Sequence, residues 1–415
     1  MHDKDLYARI LGIQLPWRVT EVALCLEAGE VQVEVAVDGA VRCPACGQAS
    51  PGYDTRERRW RHLDTCQYRT IVIAQVPRVN CATHGVMQVA VPWADAGSRF
   101  TALFEALVID WLREASLTAV SRRMQLSWDE VDGIMSRAVA RGLARRQVAA
   151  PRRIGVDETS FQKRHEYVTV VCDLDGDRVL HVADEHTEAS LATFYKSLGP
   201  AGCAGLEVIA LDMWRPYIAA TRQFVFEADR KIAFDKFHVA RLLGHAVDLV
   251  RRAEHRTLRS RGEDTLGGTK YWWLTNPERM DAQRWREFGP LRQSALKTAR
   301  AWAIKELAMA LWGYVRRGWA AKAWAAWLQW ALRCRLAPVR KVAETIRKYL
   351  WGILNAIMSR TTNALAEGMN ARIQEIKRRA CGFRNRDRFR HAIYFHLGGL
   401  DLYPVAAAPN AHTTS

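Results

Sequence analysis

The stretch "LEVIALDMWRPY", Leu206 to Tyr217, decides how the middle of this chain is read. Its first residues are a short apolar run of the kind that forms a buried strand. The run ends on a carboxylate, Asp212, and Trp214-Arg215-Pro216 then breaks it. A strand that stops on an acid leaves two readings: a loop residue, or one member of a site at a strand end, where functional side chains of α/β sheets gather.

The text around it supplies the rest of a sheet. "RRIGVDETSF", "EYVTVVCDL" and "DRVLHVADE" read as three strands, the last two joined by a turn at Asp175-Gly176. A helix over Glu188 to Ser197, the strand ending at Asp212, another helix and the short "KIAFD" (Lys231 to Asp235) complete a βββαβαβ order. That order predicts a mixed sheet with helices packed on it. From Val239 to Ile357 the pattern is helical and dense in tryptophan. Trp324, Trp327, Leu328 and Ala331 share one helical stripe, which predicts core packing.

Upstream, "WRVTEVALCLEAGEVQVEVAVDG" from Trp17 alternates as a β-hairpin turning at Gly29. "CPACG" (Cys43 to Gly47) and "CATHG" (Cys81 to Gly85) flank the strand-like "YRTIVIAQVPRV". Paired C-x-x-C and C-x-x-H knuckles offer the four soft or borderline ligands of a tetrahedral Zn2+, here Cys43, Cys46, Cys81 and His84. His62 and Cys66, between the knuckles, are alternative ligands. Four protein ligands leave no open position, so such a site is structural. Between Phe100 and Arg146 the period is helical, with a helix-turn-helix over "LTAVSRRMQLSWDEVDGIMSRAVARGLARR". Thr118 to Met124 is its first helix, and Ser127 with Glu130 forms the capping box of the next.

The chain has 415 residues, with Lys plus Arg at 61 against 44 Asp plus Glu and a net charge of +17. That balance points to an anionic partner, nucleic acid before an acidic membrane. No apolar stretch is long enough for a membrane span and the N-terminus lacks a signal-peptide pattern, so a cytoplasmic protein is expected. Nine unevenly placed cysteines fit metal binding better than a secreted disulfide framework.

Three acids stand out. Asp157 ends the first strand of the β-rich part and Asp212 the fourth. Glu367 lies in "TTNALAEGMNARIQEIKRR", where Asn363, Glu367, Asn370 and Gln374 share a polar helical face and Leu365, Met369, Ile373 and Ile376 oppose it. Grouped carboxylates without lysines repel unless a cation sits among them. Mg2+ suits such oxygen donors, and two ions about 4 Å apart serve in-line displacement at phosphate. Asp235 reads as a helix N-cap and His238 as a DNA or proton-transfer residue outside the triad. Between Arg372 and Arg390 there are eight Lys/Arg against two acids, with Phe383 and Phe389 interleaved. Lys377, Arg378, Arg379, Arg384 and Arg386 are candidate phosphate contacts there, with the phenylalanines as stacking residues; Arg122, Arg123 and Arg137 are backbone-contact candidates in the helix-turn-helix.

Together, "CPACG", "VPRVNCATHG", "IGVDETSF", "ALDMWRPY", "AFDKFHV" and "TNALAEGMNARIQEIKRRACGFRNRDRFR" resemble the ISL3 family of bacterial insertion-sequence transposases across nearly the whole chain. The resemblance implies a multidomain α+β protein: a zinc-ribbon-like module, a helix-turn-helix, and an RNase H-like catalytic domain interrupted by an all-helical insertion. It implies a DDE triad of Asp157, Asp212 and Glu367 holding two Mg2+ or Mn2+ ions, besides the structural Zn2+. The expected divisions are a hairpin at 1–40, zinc module at 41–95, helix-turn-helix at 98–147, catalytic parts at 150–240 and 358–403, insertion at 241–357, and a disordered tail at 404–415. The expected activity is binding of terminal inverted repeats, then strand cleavage and strand transfer, by a nucleoid-associated homodimer or larger assembly on paired ends. A transposase-derived regulator without catalysis and an RNase H-like nuclease are the alternatives; inverted repeats bordering the gene would favour transposition.

Overall fold

The structure is a computed structural model that describes residues 3–39, 41–146, 150–162, 166–360 and 364–405, without the side chains of 364–367. The chain forms two compact units, residues 1–147 with 387–415, and residues 148–386.

The first unit begins with α1 (Asp3–Ile10), β1 (Trp17–Cys25), β2 (Glu30–Val37), β3 (Gly52–Arg61), β4 (Arg69–Cys81) and β5 (Gly85–Gln88). β1 and β2 form the expected antiparallel hairpin, and Gly29 turns it at φ 62°, a left-handed conformation that glycine adopts without strain. β2 then pairs parallel with β4, which also carries β3 and β5. The hairpin and the zinc knuckles, separate divisions in the sequence reading, therefore share one sheet. The reason is burial: Val33, Val72, Val76 and Trp60 close one core face, with Trp17 and Trp60 edge-on to Trp93 at 5.0 and 5.4 Å. β3, "GYDTRERRWR", carries no alternating apolar signal because it is an edge strand with Trp60 as its one buried residue.

Three helices follow, α2 (Ala102–Glu114), α3 (Leu117–Met124) and α4 (Trp128–Arg145). Each starts at a hydroxyl cap, Thr101, Ser116 and Ser127, and Ser127 with Glu130 makes the predicted capping box. Phe104, Val108, Val120, Val131 and Ile134 form their common core.

The second unit opens with β6 (Arg153–Gln162), β7 (Glu166–Asp173) and β8 (Arg178–Asp184), followed by α5 (Glu188–Gly205), β9 (Val208–Leu211), α6 (Arg215–Phe224), α7 (Ala228–Lys231) and β10 (Ile232–Phe234). Its sheet runs β10-β9-β6-β7-β8, with β6, β7 and β8 antiparallel and β9 and β10 parallel to β6. α5 outlasts the expected end at Ser197: Gly199, at φ 72°, and Pro200 kink it, and a second helical stretch reaches Gly205.

Six helices come next: α8 (Lys236–Arg259), α9 (Lys270–Leu274), α10 (Ala282–Arg292), α11 (Lys297–Ala310), α12 (Arg317–Arg333) and α13 (Ala337–Ser359). No strand interrupts them. Trp324, Trp327, Leu328 and Ala331 are buried as their stripe predicts, and the Trp327 indole N–H donates to the Ile304 carbonyl at 2.8 Å. α13 lies on β10. A Cβ at Gly352 would sit 2.4 Å from the Phe234 ring, so only glycine permits that approach, and Asn355 donates to the Asp229 and Ile232 carbonyls at 2.8 Å each.

α14 (Ala364–Arg379) belongs to this second unit, whereas α15 (Arg386–Leu397) returns to the first. There His391 meets Ser136 at 3.0 Å, Arg388 pairs with Asp129 and Asp132, and Gly142 admits Leu400. Residues 358–403, one segment in the sequence reading, are thus divided between the units. The tail from 406 lies outside the described residues. Among the described residues, no helix is long and apolar enough to cross a membrane.

Candidate functional site

The site of the second unit is built by register. β6 pairs with β9 through Gly155 and Ala210, and β9 with β10 through Leu211 and Phe234. Two more steps on the first ladder and one on the second set Asp157, Asp212 and Asp235 side by side; Asp157 stands in the middle of β6, not at its end as expected, because the strand continues to pair with β7 as far as Gln162. Paired neighbours point to one face, and adjacent strands lie about 4.8 Å apart.

The electrostatics agree with that proximity. Burial, and then the charge of Asp212, push the Asp157 carboxyl up to about 7. Its Oδ2 accepts from Asn370 Nδ2 at 2.5 Å. Asp212 Oδ1 lies 2.6 Å from His238 Nδ1, but the ring N–H is aligned on Asp235 Oδ2 at 3.1 Å. Asp212 Oδ1 is left buried with no aligned donor. Burial opposes charge on His238, yet the contacts with Asp212 and Asp235 outweigh it and raise the imidazole to about 9. Asp235 is the N-cap of α8, as read from sequence, accepting from Phe237 N at 3.2 Å. It is also buried and orients His238, a role the i, i+3 spacing at a helix start could have signalled.

α14 is held along β6 by its polar face. Asn370 reaches Asp157, Gln374 Nε2 donates to Thr159 Oγ1 at 2.7 Å, and Lys377 Nζ donates to the Ser160 carbonyl at 2.9 Å. Met369, Ile373 and Ile376 are buried as expected. Glu367 lies in α14 one turn before Asn370; its side chain, that of Leu365, and all of Asn363 lie outside the described residues. The donor set around Asp157 and Asp212 suits a hard divalent cation: adjacent carboxylate oxygens, and in Asp157 a carboxyl whose ionisation a cation would favour.

The zinc candidates also converge. The ligand atoms of Cys43, Cys46, Cys81 and His84 all lie within 4.8 Å of one another. Cys46 Sγ is 3.7 Å from Cys81 Sγ, and His84 Nδ1 is 3.8 and 3.6 Å from Cys43 and Cys81. A tetrahedron of ligands about 2.3 Å from zinc has edges of about 3.8 Å. The side chain and then the backbone of His84 draw the Cys81 thiol down to about 6, toward the thiolate that zinc binds. His62 is turned away, bonded to Thr101 at 2.8 Å, and Cys66 is exposed.

The basic candidates are in different situations. Arg122 and Arg123 are exposed, the latter over the Trp111 ring. Arg137 is held by the buried Glu105 at 2.6 Å. Arg378 pairs with Glu375, and Arg386 with Glu166 at 3.3 Å; Arg379 is also engaged and Arg384 is exposed. Phe389, expected as a stacking residue, is fully buried in the core of the first unit, because α15 turns that side inward. Phe383 is half-buried, its carbonyl accepting from Gln162.

Comparison with known proteins is consistent with this arrangement. A transposase family model, that of ISL3, matches residues 154–393. The chain belongs to the ISL3 family of transposases. The helix-turn-helix of that family matches residues 89–139, and the zinc-finger of transposases IS204/IS1001/IS1096/IS1165 matches 39–84, so the Cys3His cluster is supported as a structural zinc site. The transposase for insertion sequence element IS1557 of Mycobacterium tuberculosis is 30% identical over 373 residues, 83% of each chain. The transposase for IS1001 of Bordetella parapertussis is 26% identical, over 84% of this chain and 86% of its own. Helix-turn-helix and transposase domains together imply that this ISL3 transposase binds DNA.

Proposed function

We propose that this ISL3 transposase binds the terminal inverted repeats of its insertion sequence and catalyses metal-dependent strand cleavage and strand transfer, through Asp157, Asp212 and Glu367. The observation that carries the reading is the alignment of Asp157, within β6, with Asp212, just past the end of neighbouring β9, with His238 2.6 Å from Asp212 and α14 bonded to Asp157 through Asn370. In this reading the sheet belongs to an RNase H-like domain and residues 241–357 form its helical insertion.

Asp157, Asp212 and Glu367 would hold two Mg2+ or Mn2+ ions. Bound there, the ions would polarise the phosphoryl oxygens as Lewis acids and acidify the attacking hydroxyl or water. Asn370 fixes the rotamer of Asp157. His238, held by Asp235, sets Asp212. Hydrolysis exchanges the P–O bond to the 3′ oxygen for one to water, and transfer exchanges a target P–O bond for one to the freed 3′-hydroxyl. Exposed arginines such as Arg122 and Arg384 neutralise phosphates on a protein of net charge +17. Bringing two ends together requires a homodimer or larger assembly.

The test is incubation of the full chain with labelled DNA from the gene's own borders and Mg2+ or Mn2+, against Asp212→Ala. Cutting and joining by the wild type alone support the proposal. If both proteins bind the borders and neither cuts, the reading fails in favour of a regulator; cutting without joining leaves a nuclease.

A further inference from the structure

We propose that the groove between α6 and α13 is a phosphate-binding subsite for bound DNA. This rests on the reading that Asp157 and Asp212 act on DNA.

α6 starts at Arg215, three residues past Asp212. Arg215, Ile218, Ala219 and Arg222 follow i, i+3, i+4, i+7 spacing, so they form one stripe of that helix. With Lys348, Tyr349 and Trp351 of α13 they enclose about 330 Å3. The lining holds three cations and no carboxylate. Arg222 is fixed by Asp229, at 2.7 and 3.1 Å, with its guanidinium 5.6 Å from the Trp351 ring centre. Arg215 and Lys348 are exposed and have no ion-pair partner among the described residues. They are the two charges left for a ligand.

The aromatic wall is tied to the strand ends. Tyr349 and Trp351 stand edge-on to Phe234 at 5.4 and 5.0 Å, and Phe234 precedes Asp235. Phe234 alternates with Asp235, so this wall lies on the face of the sheet opposite the carboxylates and approaches them at the start of α6, where Arg215 follows Asp212 by three residues. Cations for a phosphate, beside flat aromatic and aliphatic surface for sugar or base, are the chemistry of a nucleotide unit. The Arg215 and Lys348 contacts would read backbone, so binding there is independent of base sequence.

The test uses the zinc-loaded full chain without Mg2+ or Mn2+, where no strand is cut. Affinity for a random-sequence duplex and for the border duplex is measured by anisotropy across a salt series, for wild type and Arg215→Ala/Lys348→Ala. Losing two phosphate contacts should lower the slope of log K against log salt by about 2, and weaken both duplexes alike. A pair elsewhere on α13, Arg340→Ala/Lys341→Ala, should change the slope less. A photo-crosslinking amino acid at Ala219 should attach to DNA, and the double substitution should abolish the adduct. An unchanged slope, an equal effect of the control pair, or no adduct overturns the subsite. If the subsite variant loses slope and adduct while the wild type fails to cut with Mg2+, the subsite stands and the cleavage reading falls; the converse pattern separates them the other way.

Discussion

Asp157→Asn provides a quantitative test of the carboxylate site. The Asp157 carboxyl is raised from 3.8 to about 7 by burial and then by Asp212. At about 1.4 kcal/mol per pKa unit, that shift is worth up to about 4 kcal/mol. Because the folded pKa is raised, the group's contribution is intact below about pH 4 and is lost as pH rises through about 7. In EDTA, the second unit of the wild type should therefore weaken over that interval. The substituted amide cannot ionise, and its oxygen can still accept from Asn370. The variant should match the wild type near pH 4 and melt higher at pH 8, by roughly 8–16 °C at the upper bound, taking about 2–4 °C per kcal/mol for a unit of this size. Mg2+ should raise the wild-type melting temperature at pH 8 far more than at pH 5, and leave the variant nearly unmoved. Scanning calorimetry in EDTA and in Mg2+ reads all four states. A variant that melts lower than wild type at pH 8 in EDTA, or that gains as much from Mg2+, would refute the reasoning.

The remaining predictions address the supports of each site. Asn370→Ala removes a hydrogen bond to Asp157 worth about 1.5–3 kcal/mol, so border cleavage should slow by roughly 10- to 150-fold with DNA affinity unchanged, checked by single-turnover kinetics. Cys81→Ser should lower zinc content, measured by atomic emission, and lower the melting of the first unit while the second melts as before. Gly352→Ala would drive a methyl into Phe234 and should cost about 1–3 kcal/mol in denaturant titration of the second unit. Replacing Arg137 and Arg141 together by Ala strips the buried Glu105 of its cations and should destabilise the first unit by about 3–5 kcal/mol, whereas Arg122→Ala should leave its melting unchanged.

Local pattern accounts for much of what is legible in the sequence. The capping box at Ser127, the hairpin turn at Gly29, the tryptophan stripe of α12 and the cysteine knuckles all depend on spacings of a few residues, and the structure has each of them. β3 escapes a reading by pattern because an edge strand buries too little to write a period-2 signal. Phe389 misleads because a phenylalanine among arginines looks exposed until the partner of its helix is known.

The amino-acid sequence by itself picked out the residues proposed to carry chemistry, Asp157, Asp212 and the amide face of α14, and the Cys3His set of the zinc module. Tertiary structure alone decided how they meet. Parallel pairing of β6, β9 and β10 brings three aspartates from distant stretches to one level, and it makes Asp235, a helix cap in local terms, the residue that orients His238. It also sends α15 back to the first unit and pairs Arg137 with the buried Glu105. The physical reason is that periodicity and capping act over one or two turns, whereas the pKa of a carboxyl and the availability of an arginine depend on charges brought close by pairing and packing across the fold.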